Sequence, residues 1–246
     1  PPIRVDRAAI QRAGDAWRAR LAPLRRPLIA LLVGGPTHPF VFDERIAEQL
    51  MRQVRKMLDE TGGSVYVTTS RRTPVAVTEV LQSHLPRGSQ LYRWQPDDPD
   101  NPYLGLLGNA DIFIVTGDSI SMMMEVAKLG RPLAIFSLPC PPRSLRARLR
   151  SLLADLLLPP AGSPGWRRVL QPLGFLLYRR GSLSHPRDLS AIHETLIQRG
   201  LAVRLGEPLP PASRAADDEL APIVARIHAL LDPTGGTKDQ RGRHPR

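Results

Sequence analysis

Cysteine is almost absent. Cys140 stands alone among 246 residues, which excludes an intrachain disulfide and any cysteine-rich metal site and fits a reducing compartment. No spacing of other metal-ligating residues takes its place, and no GxxxxGK[ST], GxGxxG or Ser–His–Asp order occurs. No metal and no resident cofactor are therefore expected. Aromatic residues make up only 5% of the chain. A nucleic-acid reader needs aromatic platforms or a recognisable motif, so nucleic acid is not an expected partner despite a net charge of +11. No apolar run approaches the roughly 20 residues that cross a bilayer. Lysine is scarce too: of 34 basic residues only Lys56, Lys128 and Lys238 are lysine. That arginine bias fits GC-rich coding as well as it fits phosphate binding.

What is present is a regular alternation of short apolar runs and helical patterns. Residues 7–22 read as a helix ended by Pro23 and Pro27. Leu28–Val33 is a buried-type strand, and Phe42–Glu60 an amphipathic helix with Ile46, Leu50, Val54, Met57 and Leu58 on one stripe and Asp43 at its start. Val65–Thr68 is a second strand, Val75–Leu85 a helix with Pro74 at its first turn, and Gln90–Trp94 a third strand. Asn101–Leu107 reads as a short helix. Ile112–Val115, a helix carrying Glu125, and Leu133–Phe136 then form a βαβ unit near the minimum length. Alternation of this kind predicts an α/β fold: a doubly wound, Rossmann-like parallel sheet with helices on both faces, over 28–207. Helices are also expected at Arg187–Arg199 and Asp217–Leu231, and residues 208–232 as a C-terminal helical segment. The polar, Gly- and Pro-rich tail 233–246 reads as disordered.

Three polar turns follow predicted strands, and a parallel sheet gathers them on one edge, where such folds hold ligands. Gly34-Gly35 serves either as a tight turn needing positive φ or as a place where backbone N–H groups face an anion. Ser70-Arg71-Arg72 is either a solvated surface pair or a pyrophosphate site backed by a helix N-terminus. Gly117-Asp118-Ser119 leads into a helix with Ser121 and Glu125. Ser119 and Ser121 can cap that helix or offer hydroxyls to a phosphate, and Asp118 and Glu125 are two turns apart, on one side of the element. An acid beside a buried stripe needs a partner, such as a ribose diol. The other reading is a capped helix with a solvent-facing glutamate. His38 has no carboxylate partner in sequence and reads as a loop histidine. No catalytic residue is singled out.

The motifs LLVGGPTHPF, TTSRRTP, DNPYLGLLGNAD and VTGDSISMMMEVAKLGRP, in that order, resemble the family of plant mitochondrial-fission proteins of ELM type and their bacterial relatives. The likeness spans about residues 7–205. It departs at Gly117, where the family often carries an acid. The family in turn resembles GT-B glycosyltransferases, whose C-terminal domain binds a nucleoside-diphosphate sugar. The resemblance implies that Gly34, Gly35, Ser70, Arg71 and Arg72 face the diphosphate, that Glu125 holds the ribose, and that Asp118 and Ser119 lie near the sugar or phosphates. It also implies that residues 1–27 are a helix and linker following a further domain, which would supply any general base. Metal-independent transfer of a sugar to a cell-envelope glycan or lipid is the activity expected. The alternative is a non-catalytic ELM-type scaffold on the same fold.

From Pro141 to Arg187 the chain carries nine arginines against one acid, Asp155. The leucine-rich segment 143–158 and Trp166–Arg180 read either as helices packed on the sheet or as an anionic-membrane surface across 143–180. The expected location is the cytoplasm, with peripheral attachment to the inner membrane face under the second reading.

Overall fold

The computed structural model describes residues 5–37, 40–140 and 190–209. The chain divides into two compact units, one of residues 1–139 with 189–246 and one of residues 140–188. The second, Cys140 apart, lies outside the described residues, and so do His38, the basic segment 143–180, the helix expected at 217–231 and the tail.

The elements run α1 (Arg7–Leu21), β1 (Leu28–Leu32), α2 (Glu44–Thr61), β2 (Ser64–Thr68), α3 (Val75–Ser83), β3 (Gln90–Tyr92), α4 (Tyr103–Asn109), β4 (Ile112–Thr116), α5 (Ile120–Lys128), β5 (Leu133–Phe136), α6 (Ser190–Gln198) and β6 (Val203–Arg204). They build one six-stranded sheet in the order β3-β2-β1-β4-β5-β6, parallel at every pairing. This is the doubly wound α/β architecture expected. β1, β2, β4 and β5 are buried at every position. Strands covered on both faces can be apolar throughout, and LIALL and IFIVT are nearly so.

The strand order reverses between β1 and β4. From β1 the chain winds outward through β2 to β3, then crosses back to β4 and winds the other way. Right-handed crossovers put α2 and α3 on one face and α4 and α5 on the other. α1 joins the second face, where it packs on α4. That packing is close because its contact positions are glycines. A Cβ on Gly108 would lie 2.9 Å from the Gly14 Cα, and one on Gly105 would overlap the Trp17 ring. Asn109 Nδ2 donates to both the Gly14 and Gly105 carbonyls at 2.8 Å, locking the two helices.

Several boundaries differ from the sequence reading, each for a local reason. α2 begins at Glu44, not Phe42, because Asp43 is the extended N-cap and accepts from Ile46 N at 3.0 Å. α4 begins at Tyr103, not Asn101, because the Asn101 side chain accepts from Tyr103 N at 3.0 Å and forms the entry turn. β3 stops at Tyr92. Pro74 is the N-cap of α3, one position before its first turn. β6, two residues at the sheet edge, had no counterpart in the sequence reading.

Candidate functional site

The carboxyl ends of β1 and β4 flank the reversal of strand order, the usual ligand crevice of an open parallel sheet. Gly34-Gly35 leaves β1 there, and Thr116–Ser119 leaves β4. The Ser70–Thr73 turn joins them from the end of β2. The three predicted turns therefore meet.

Asp118 organises this meeting. Its side chain has 0% exposed surface, and four protein groups donate to its carboxylate. Gly35 N reaches Oδ2 at 2.9 Å, Ser119 Oγ at 3.1 Å and Arg72 Nη2 at 3.2 Å, while Thr116 Oγ1 reaches Oδ1 at 2.8 Å. Thr116 Oγ1 also accepts from Gly34 N at 2.8 Å. Both glycine N–H groups are thus taken inside the protein, and the expectation that they stand free for an anion is corrected: the internal carboxylate occupies that role. Neither glycine has positive φ, so the tight-turn reading fails as well. They are glycines because space is lacking. A Cβ on Gly34 would overlap the Asp118 carboxylate, and one on Gly35 would overlap the Arg72 carbonyl.

The SRRTP turn is pinned to the same spot. Thr73 Oγ1 accepts from Ser70 N at 2.9 Å and lies 3.1 Å from Ser70 Oγ. It also reaches the Val33 and Gly34 carbonyls. Ser70 Oγ accepts from Arg72 N at 3.3 Å. Arg72 Nη1 donates to Thr37 Oγ1 at 2.6 Å, and Nη2 lies 3.5 Å from Ser119 Oγ. A guanidinium has five N–H donors. Among the described residues three are engaged, which leaves one on Nη1 and one on Nε, on a side chain 46% exposed. Arg71 is exposed and makes no side-chain bond among the described residues.

Two helices point their N-termini at this edge, and neither is capped by a side chain. α3 starts after Pro74, and α5 after Ser119, whose hydroxyl is turned to Asp118 instead of the helix. The capping role expected of Ser119 is corrected accordingly. The first-turn N–H groups of both helices lack intrahelical acceptors, and the helix dipoles add positive potential there. Ser121 is exposed on the first turn of α5.

Glu125 does not converge with Asp118, as two-turn spacing on one helix face suggested. Asp118 precedes α5 and reaches across to β1. Glu125 turns to α4, where Tyr103 Oη donates to its Oε2 at 2.5 Å. Burial raises the Glu125 carboxyl above its ordinary value of 4.5, opposed by the Tyr103 hydrogen bond. Burial and the neighbouring carboxylate push the Tyr103 phenol well above its ordinary value too. The partner that a half-buried acid needs is therefore a tyrosine from the NPY motif.

Gly117, the position that departs from the expected motif, faces α6. The imidazole Nε2 of buried His193 donates to the Gly117 carbonyl at 2.7 Å, and a Cβ on Gly117 would lie 2.8 Å from His193 Cε1. His193, Tyr103, Thr116 and Thr37 were not singled out from sequence. Among the described residues no cluster of His, Cys, Asp or Glu could hold a metal ion.

The family model for mitochondrial fission ELM1 matches residues 1–160. The chain belongs to that family. The mitochondrial fission protein ELM1 of Arabidopsis thaliana is 34% identical over 131 residues, which are 53% of this chain and 30% of that protein. An uncharacterised protein of Rickettsia prowazekii, RP120, is 34% identical over 118 residues, 48% of this chain and 33% of its own length. The chain thus spans about a third of the length of each of these relatives. Among solved structures, one of S. aureus MnaA with UDP aligns over 94% of this chain and 56% of its own at 13% identity, with a TM-score of 0.37. The family match covers every element from α1 to β5, and so all three turns at the crevice.

Proposed function

We propose that the described unit binds a nucleoside-diphosphate sugar and serves as the donor side of a GT-B-like, metal-independent glycosyltransferase acting on an envelope glycan or lipid. The observation that carries this reading is the pair of uncapped helix N-termini, α3 and α5, flanking Arg72 at the reversal of strand order. Backbone N–H groups at a helix start and guanidinium donors are the groups that hold phosphate oxygens. The exposed Arg71 adds charge there, and Arg72 adds the two N–H donors that no described residue engages. Glu125, behind the first turn of α5, supports a ribose contact. In transfer, the bond from the anomeric carbon to the diphosphate oxygen would break as the acceptor hydroxyl oxygen attacks and releases its proton to water or to a base outside this unit. The leaving diphosphate gains charge, and Arg71, Arg72 and the helix ends stabilise it.

A second reading has its own observation. Gly34 N, Gly35 N and part of Arg72 are satisfied by Thr116 and Asp118, as a non-catalytic scaffold on this fold would need. Calorimetry of the full chain with UDP-, GDP-, CMP- and ADP-sugars separates the two. The donor reading expects one of them to bind, and Arg72→Ala to weaken it about tenfold or more, given ~1.5–3 kcal/mol for a hydrogen bond to a charged group. Absence of binding by every nucleotide supports the scaffold. Tight binding unaffected by Arg72→Ala removes Arg72 from the site.

A further inference from the structure

The NPY motif, Asn101-Pro102-Tyr103, is left without a role by the diphosphate reading. Locally it is a device for aiming one phenol. Asn101 Oδ1 accepts from Tyr103 N at 3.0 Å, fixing the turn before α4. Pro102 is buried and supplies the N-cap backbone, with φ −76°. Tyr103 then begins α4 on the same face as α5 and donates to Glu125 Oε2 at 2.5 Å.

That bond makes the two carboxylate oxygens unequal. A phenol is a far better donor than acceptor toward a carboxylate, and Tyr103 keeps its proton at all ordinary pH because burial and Glu125 disfavour its ionisation. Oε2 therefore carries a protein donor, whereas no donor from the described residues reaches Oε1. With Oε2 anchored, the carboxylate plane is held and its free oxygen has one direction.

We infer that Tyr103 is a positioning residue for Glu125: it anchors Oε2 so that Oε1 is presented as a fixed acceptor for a sugar hydroxyl, making ribose the favoured sugar over deoxyribose. The inference rests on the nucleotide reading above and adds to it the residue that sets sugar discrimination. A fixed acceptor loses its hydrogen bond when the hydroxyl is removed and cannot swing to another group, so discrimination is sharp. Without the anchor the carboxylate rotates and takes water instead.

The test compares full-chain wild type and Tyr103→Phe in calorimetry against UDP, GDP and ADP, their 2′-deoxy and 3′-deoxy counterparts, and inorganic pyrophosphate. Wild type is expected to prefer at least one ribonucleotide over a deoxy counterpart by about tenfold, the size of one hydrogen bond to a charged group. In Tyr103→Phe that preference is expected to fall below about threefold while pyrophosphate affinity is unchanged. A second readout is pH. The Tyr103 bond lowers the Glu125 carboxyl against the effect of burial, so the pH range over which stability falls as Glu125 ionises moves upward in Tyr103→Phe. A variant that only loosened packing would not move it that way.

Retention of the full preference by folded Tyr103→Phe overturns the inference. So does wild-type binding without any ribose preference, which leaves the diphosphate site standing. Failure of wild type to bind any nucleotide overturns both. Should Tyr103→Phe not fold, Asn101→Ala keeps the phenol but frees its backbone; partial loss of preference supports the assignment and none overturns it.

Discussion

Replacing Asp118 with alanine tests whether the centre of the crevice is an internal ion site. The carboxylate is wholly buried and takes four donors. Their fates differ. The Thr116 and Ser119 hydroxyls lose an acceptor but can rotate. Arg72, 46% exposed, turns to water, so its half of the ion pair is worth no more than about 1 kcal/mol. Gly35 N is buried and fixed in the backbone. Left unpaired, it costs about 1–3 kcal/mol. The expected loss for Asp118→Ala is therefore about 1–4 kcal/mol, and roughly 2–15 °C in Tm for a chain of this size. Asp118→Asn keeps an acceptor for Gly35 but loses the charge, and about 1–2 kcal/mol is expected. Urea unfolding with unchanged slope is the assay. A double-mutant cycle with Arg72→Ala is expected to show coupling of no more than about 1 kcal/mol. If Asp118→Ala unfolds within about 0.5 kcal/mol of wild type, the size of an ordinary surface substitution, the carboxylate is not holding the three turns together and the reasoning is wrong.

Gly35→Ala drives a methyl group into the Arg72 carbonyl; backbone cannot swing away, so a loss of about 1–3 kcal/mol in urea unfolding is expected, and a neutral result would refute the close approach. Glu125 gives a pH signature. Its carboxyl is raised in the folded state, so the native protein holds the proton more tightly than the unfolded chain, and stability falls as pH rises from the ordinary carboxyl value through the raised one. Glu125→Gln is expected to remove that slope, and parallel wild-type and variant curves from pH 4 to 7 would show that Glu125 does not titrate this way. Arg71→Ala is expected to weaken nucleotide binding and flatten its salt dependence without changing stability, since Arg71 is exposed and unpaired among the described residues; a shift in unfolding midpoint beyond about 0.5 kcal/mol contradicts that.

The sheet was legible because its inner strands announce themselves. LIALL and IFIVT are too apolar and too short to be anything but strands covered on both faces, and each ends in a polar turn. β6 carried no such signal: it has two residues, one half-buried and one exposed. The position of the site was legible too, since parallel strands necessarily bring their carboxyl ends together. Its internal wiring was not. Asp118 and Gly35 are 83 residues apart, Arg72 and Asp118 46, and Tyr103 and Glu125 22. Spacing rules reach one or two helical turns. Long-range pairs leave only indirect marks, such as a carboxylate beside a buried stripe or glycines where no turn demands them. Tyr103 was findable from the first of these marks, because a half-buried glutamate needs a donor and NPY holds the nearest tyrosine in sequence. His193 left none.

Under the proposed donor reading, the internal carboxylate changes where the crevice could hold an anion. A glycine turn with free N–H groups would bind phosphate at the end of β1, the reading that its sequence invites. Asp118 already stands there as a built-in anion, and its charge offsets that of Arg72. A ligand phosphate placed on the same donors would meet a buried carboxylate within hydrogen-bonding reach of Gly35 N, and like charges at that distance repel strongly away from water. The attractive field is displaced outward, to the starts of α3 and α5, the outward donors of Arg72 and the exposed Arg71. Asp118 thus works as a spacer: it consumes the inner donors, ties β1 to β4, and holds the Arg72 guanidinium at the mouth of the crevice, so the proposed diphosphate site would lie outside the sheet.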